Sequence, residues 1–206
     1  MIKEALLRLT RGSLIYGLGG ILQRFMGLLL LPFFTRVLTP EDYGVVALIS
    51  LVTVAMNGPL SLGTGNSLGV LYYRELNHAK RPTIIWSNTL LLALNCLCWT
   101  ILIYLGAPHL SALMFQTDRY ADLIRLSLLG SALMTITDPL LAYLRMEEKA
   151  KQYMVLTLVN SMLSIALSIW FVLVMRYGVT GMILATTLAY GIMLLVVGIV
   201  VGRRLH

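Results

Sequence analysis

The sequence predicts an all-α integral membrane protein whose six transmembrane helices form one lobe. Three observations carry this: composition, the lengths of the apolar runs, and the sidedness of the basic residues. Of 206 residues, 58% are apolar and only 12% are charged, against about a quarter charged in a soluble domain. The mean hydropathy is +0.84. The charged residues fall in short clusters, and six apolar stretches between them reach the ~20 residues a helix needs to cross a bilayer core. A net charge of +7 then reports topology before it reports nucleic-acid binding. A soluble enzyme, a disordered chain and a secreted disulfide scaffold are excluded.

Residues 1–12 are too short and too charged to span. Ile2, Leu6 and Leu9 share a face and predict an amphipathic N-terminal segment lying at the cytoplasmic interface. The lobe is expected over 13–202, with spans near 13–37, 44–73, 83–105, 120–143, 153–175 and 179–201, and a basic cytoplasmic end at 203–206. The first span is too long for a cleaved signal peptide and contains Arg24. The second carries Asn57-Gly58-Pro59, which predicts a kink, because proline removes a backbone donor. Residues 106–119 read as an outer loop with a short surface helix on Leu110, Leu113 and Met114. Cys96 and Cys98 diverge by roughly 200° on a helix, so they read as two buried thiols rather than a disulfide or metal pair.

Lys and Arg set the orientation. Lys3, Arg8, Arg11, Arg74, Lys80, Arg81, Arg145, Lys149, Lys151, Arg203 and Arg204 share one side, and only Arg36, Arg119 and Arg176 take the other. The positive-inside rule places both termini in the cytoplasm. Tyr43, Tyr72, Tyr73, Tyr104, Tyr120, Tyr143, Tyr153 and Tyr177 lie near span ends, where amphipathic rings prefer to sit.

Arg24 is the most informative residue. It sits about ten residues, roughly 15 Å, from either end of its span, where an arginine costs roughly 2.5–3.5 kcal/mol to insert. Ser13, Gly17, Gly20 and Gly27 share its face and leave room for an anion to approach. The competing reading is an internal tether at a helix crossing. Polar stripes run along other spans: Ser50, Thr53, Asn57, Ser61 and Thr64; Asn88 and Asn95 with Trp99; Thr157, Ser161, Ser164 and Ser168. They either line a hydrophilic cavity that contacts sugar hydroxyls or bond neighbouring helices together. Arg125 reads as a snorkelled arginine paired with Asp122 or Asp118. Asp138 is a candidate for proton or sodium coupling, or an interfacial carboxylate two turns before Arg145. His78, His109 and His206 are scattered, and no P-loop, nucleophile elbow or metal-ligand cluster appears. Neither an enzyme nor a metal or cofactor protein is expected.

The stretch GLGGILQRFMGLLLLPFFTRVLTPEDYGVVALIS resembles the N-terminal signature of polysaccharide repeat-unit flippases (Wzx-type). These belong to the exporter superfamily that also holds multidrug–cation antiporters. The likeness rests on Arg24 within the first helix and on the linker Arg36-Val37-Leu38-Thr39-Pro40-Glu41-Asp42-Tyr43-Gly44, with a weaker match at Leu144-Arg145-Met146-Glu147-Glu148. The resemblance implies two six-helix lobes around a cavity that opens alternately to each side of the bacterial inner membrane. It implies a polyprenyl-pyrophosphate-linked oligosaccharide as substrate, for O-antigen, lipopolysaccharide or other polysaccharide biosynthesis. It gives Arg24 the pyrophosphate, whose oxygens suit a guanidinium fork; with Asn57, Asn88 and Asn95 of the polar stripes, Arg24 makes up the expected substrate-binding set. Members carry twelve or more spans, so six are expected to form an N-terminal lobe whose partner is a second lobe or another copy of the chain. The alternatives are half of a multidrug/cation antiporter and a non-transporting assembly subunit of a glycan-synthesis complex.

The charge split makes a direct prediction. In intact cells, a membrane-impermeant thiol reagent should label Gln116→Cys and spare Asn77→Cys; the reverse pattern would overturn the orientation.

Overall fold

In the computed structural model, which describes residues 32–77 and 80–205, residues 32–34 are helical, and the first helix described in full begins at a capping signal written into Thr39-Pro40-Glu41-Asp42. Thr39 Oγ1 accepts from the Asp42 N–H at 3.2 Å, and Asp42 Oδ2 accepts from the Thr39 N–H at 2.9 Å. Pro40 opens the helix, where its missing N–H costs nothing. The elements that follow are α1 Pro40–Ser61, α2 Thr64–Arg74, α3 Arg81–Phe115, α4 Ala121–Met146, α5 Ala150–Ile169 and α6 Gly178–Leu205. A 3₁₀ turn at Asp118–Tyr120 precedes α4, and a π-helical turn at Trp170–Val174 extends α5. There is no strand among the described residues.

Five of the described helical segments are long and apolar enough to cross a membrane. The expected first span, including Arg24, falls almost wholly outside the described residues, as does the amphipathic segment at 1–12. The second span stays helical through Pro59 and is broken just beyond it. Leu62 and Gly63 both adopt left-handed backbone, at φ 49° and 65°, and the helix restarts at Thr64. The loop expected at 106–119 is also corrected. Residues 106–115 continue α3 to its end, and only 116–119 lie outside it, in the turn before α4; the 35 residues of α3 reach about 52 Å at 1.5 Å per residue, well beyond a ~30 Å hydrocarbon core.

Helix α4 is the hub. It is the least apolar of the five spans and the most buried, with half of its central residues covered against a third or fewer elsewhere. Lipid tails are as apolar as leucine, so small and weakly polar residues mark the protein-facing helix. Ser127, Gly130, Ala132, Thr135 and Thr137 supply that surface. α4 packs most extensively on α6 and α3, and also meets α1, α2 and α5. Its side chains enter all four buried clusters, from Leu123 beside Val45 and Ile183 to Leu144 beside Tyr72 and Val197. The closest approach is at Gly130. A Cβ there would lie 2.7 Å from Thr187 Oγ1, which itself donates to the Leu126 carbonyl of α4 at 3.1 Å.

The basic end of the bundle is tied by aromatic side chains. The fully buried Tyr72 donates its hydroxyl to Glu147 Oε1, and Tyr73 donates to the Met146 carbonyl at 3.3 Å. The Arg81 guanidinium lies 5.0 Å from the Tyr72 ring centre and donates to the Glu75 carbonyl from two nitrogens. These contacts fasten α2 to α3 and to the turn after α4.

Two substitutions test the packing. Gly130→Ala should cost about 1–3 kcal/mol by overpacking, whereas Gly198→Ala, with nothing near its added Cβ, should be neutral or mildly stabilising because alanine is the better helix former. Reversible unfolding in mixed micelles measures both; equal effects would contradict the close approach.

Candidate functional site

The break in the second span does more than bend a helix. It ends one row of backbone bonds and opens a polar recess of about 270 Å³ toward the basic end. Ser61 and Thr64 flank the break and form one wall, Asn88 of α3 another. Thr135, Asp138 and Arg145 come from one face of α4, at spacings of three and seven residues that helical geometry aligns. Tyr153 of α5 closes the side. The hydroxyls are engaged with their own backbone: Ser61 with the Gly58 carbonyl at 3.2 Å, Thr64 with Ser61 at 2.9 Å and Thr135 with Ser131 at 2.9 Å. Each keeps acceptor capacity for a further partner. The Arg145 guanidinium is held 5.3 Å from the centre of the Tyr153 ring. Among the described residues, the Asp138 carboxylate and the Asn88 amide accept or donate no hydrogen bond.

The recess therefore gathers two of the residues expected from the sequence, Asn88 and Asp138. Asn57 lies elsewhere, exposed on α1. Asn95 has a defined structural task. Its Nδ2 donates to both the Pro59 and Leu60 carbonyls, at 2.9 Å each. Those carbonyls face the broken end of α1, where no following turn supplies N–H groups. Asn95 thus clamps the break from α3, with the Cys96 thiol beside it, 3.9 Å from the Leu60 oxygen. Arg145 and Tyr153 were not singled out from the sequence as site residues. The signal for Arg145 was present in its seven-residue spacing from Asp138; that for Tyr153 was not, since α5 reaches the recess only through tertiary packing.

Two further cavities lie elsewhere in the bundle. One of about 400 Å³ sits between α1, α4 and α6 and is lined by Ser50, Thr53, Ser131, Thr187 and Tyr190 among others. One of about 180 Å³ lies between α5 and α6 beside Asn160, Ser164 and Tyr190. Many of their hydroxyls donate within their own helix, as Ser50 does to Val46 and Thr53 to Ser50. The Asn160 Oδ1 is buried without a partner among the described residues.

A fourth cavity, at the opposite end, is apolar but for Arg125 and its neighbours. Arg125 is spoken for: it donates to Asp122 Oδ1 at 2.8 Å and to the Tyr104 carbonyl at 3.2 Å, and its guanidinium stacks 4.4 Å from the Tyr104 ring centre. The Tyr104 carbonyl needs that donor because the residue four positions on is Pro108, which has no N–H.

This arrangement matches known proteins at two levels. The fold is similar to that of a solved multidrug resistance MATE family transporter of the MOP superfamily in an outward-facing conformation. The TM-score is 0.75 at 22% identity, over 95% of this chain and 44% of that one. The chain thus spans less than half the length of that transporter. No curated protein sequence matches it. Residues 33–206 match the family model described as polysaccharide biosynthesis protein, and the chain belongs to that family.

Proposed function

We propose that the chain forms the N-terminal lobe of a flippase that carries polyprenyl-pyrophosphate-linked oligosaccharide repeat units across the bacterial inner membrane. One observation carries this reading: a polysaccharide biosynthesis sequence occupies a transporter fold. A polysaccharide pathway that needs a transporter must move glycan, and glycan built on a polyprenyl carrier presents a pyrophosphate that a mid-membrane cation can hold. Arg24 is that cation in the proposal, and its planar fork binds two phosphate oxygens at once. Asn57 and Asn88 take sugar hydroxyls.

Alternating access needs two bodies that rock about a shared site. A bundle that aligns with 44% of a complete transporter supplies one of them, so transport is proposed to need a second lobe or a second copy. The 206 residues reconstituted alone should not flip a fluorescent polyprenyl-pyrophosphate oligosaccharide; substrate-specific flipping by a demonstrably monomeric chain would overturn the half-transporter reading.

The head-group assignment is tested in cells that make the polysaccharide with the complete transporter. Arg24→Lys should impair export and Arg24→Ala should impair it more, by at least about tenfold for the loss of a bidentate charged contact, at equal membrane abundance. Normal export by a well-expressed Arg24→Ala variant would remove the flippase assignment and favour an assembly subunit.

A further inference from the structure

The recess at the helix break has a charge arrangement that selects its ligand. Asp138 and Arg145 are two turns apart on α4, about 10 Å along its axis, and both line the cavity, so it holds a carboxylate and a guanidinium together. A bound anion would meet Asp138, and a bound cation would meet Arg145. A neutral group rich in hydroxyls suits both, because each hydroxyl donates and accepts. The carboxylate takes hydroxyl protons, the Asn88 amide does either, Arg145 supplies N–H groups, and the Ser61 and Thr64 oxygens have lone pairs to spare. The volume of about 270 Å³ lies at the small end of ligand sites. It has room for about one ring, with Asp138 and Arg145 both exposed beside it.

We propose that this recess is a binding subsite for a single neutral sugar ring, with Asp138 and Asn88 as its principal hydroxyl partners and Arg145, held over Tyr153, at its mouth. The proposal rests on the flippase reading for its meaning, since it gives the lobe a place to read a sugar at the basic end of the bundle, apart from Arg24. It also gives Asp138 a different task from ion coupling. The walls are set for this: Asn95 holds the break open from α3, and Tyr72 and Tyr73 hold α2 against the turn after α4.

The test is ligand-observed saturation-transfer NMR on the full chain in nanodiscs, with the methyl glycosides of glucose, galactose and N-acetylglucosamine as probes. At least one should give saturable transfer, which sodium and inorganic phosphate do not displace and methoxycyclohexane, a ring without hydroxyls, does not reproduce. Asp138→Asn and, independently on another helix, Asn88→Leu should each weaken it about tenfold, as for the loss of one charge-assisted or well-aligned hydrogen bond. Helix content and melting temperature are measured in parallel, and Asp138→Glu should retain part of the binding. No saturable transfer from any glycoside, displacement by phosphate or sodium, or transfer unchanged in both folded variants would overturn the subsite. Glycoside binding in a protein whose export ignores Arg24→Ala would leave the subsite and remove the flippase reading. Export that depends on Arg24 without glycoside binding would do the reverse.

Discussion

A backbone carbonyl that loses its N–H inside a bilayer has no water to turn to, and the whole bundle is arranged around that constraint. Proline creates the loss at Tyr104, four residues before Pro108, and Arg125 reaches from α4 to meet it. The helix break after Pro59 creates it again, and Asn95 reaches from α3 to meet the Pro59 and Leu60 carbonyls together. Each repair is a long-range bond between helices, so each irregularity also fixes the position of one helix against another. The second matters more for function. Residues on both sides of the break line the recess, and without Asn95 the break exposes two acceptors, at about 1–3 kcal/mol for an unsatisfied buried group.

The same constraint explains why the central helix is the least apolar. In water, burial follows hydrophobicity; in lipid the outward face is already apolar and gains nothing by facing in. What brings α4 to the centre is the close approach that Gly130 allows to Thr187, and the small side chains Ser127, Ala132 and Thr135 along the same helix. Thr and Ser residues that align as stripes mostly return their protons to their own helix, as Thr135 does to Ser131 and Ser131 to Ser127. A stripe of hydroxyls in such a bundle is therefore first a way of packing closely. It becomes a site only where a group with no such outlet, an amide or a carboxylate, shares the cavity.

How much of this was legible in the sequence follows from the range of each interaction. The helices are signalled locally. Apolar run length, basic clusters and the Thr39 to Asp42 cap lie within a turn or two of what they specify, and the described spans fall close to where periodicity puts them. The end of α3 was misjudged because Gly106, Pro108 and His109 read as a loop, whereas the helix continues past them with Arg125 supplying the donor that proline withholds. The sequence predicts a kink at Asn57-Gly58-Pro59 because proline is the visible breaker, whereas the helix breaks at the left-handed pair Leu62-Gly63 just beyond it. Asn95 illustrates the limit for site residues. Its spacing from Asn88 suggested a shared task, yet one lines the recess and the other holds its wall, and only the position of α1 against α3 separates the two.

On the reading proposed above, the bundle divides attraction from recognition. Arg74, Lys80, Arg81, Lys149, Lys151 and Arg203 share one end of it, and such a field draws in any polyanion, whatever sugar it bears. The recess beside it holds one carboxylate and one guanidinium and is locally close to neutral. A neutral site gains little from a pyrophosphate and discriminates by hydrogen bonds instead. A site built to bond hydroxyls rejects a ligand that lacks them far more strongly than an apolar pocket rejects a misfit of similar size. Charge at the rim then governs how often a substrate arrives, and Asp138 with Asn88 governs which one stays. Changes to the rim should alter the salt dependence of uptake, while changes to the recess should alter the choice of glycan.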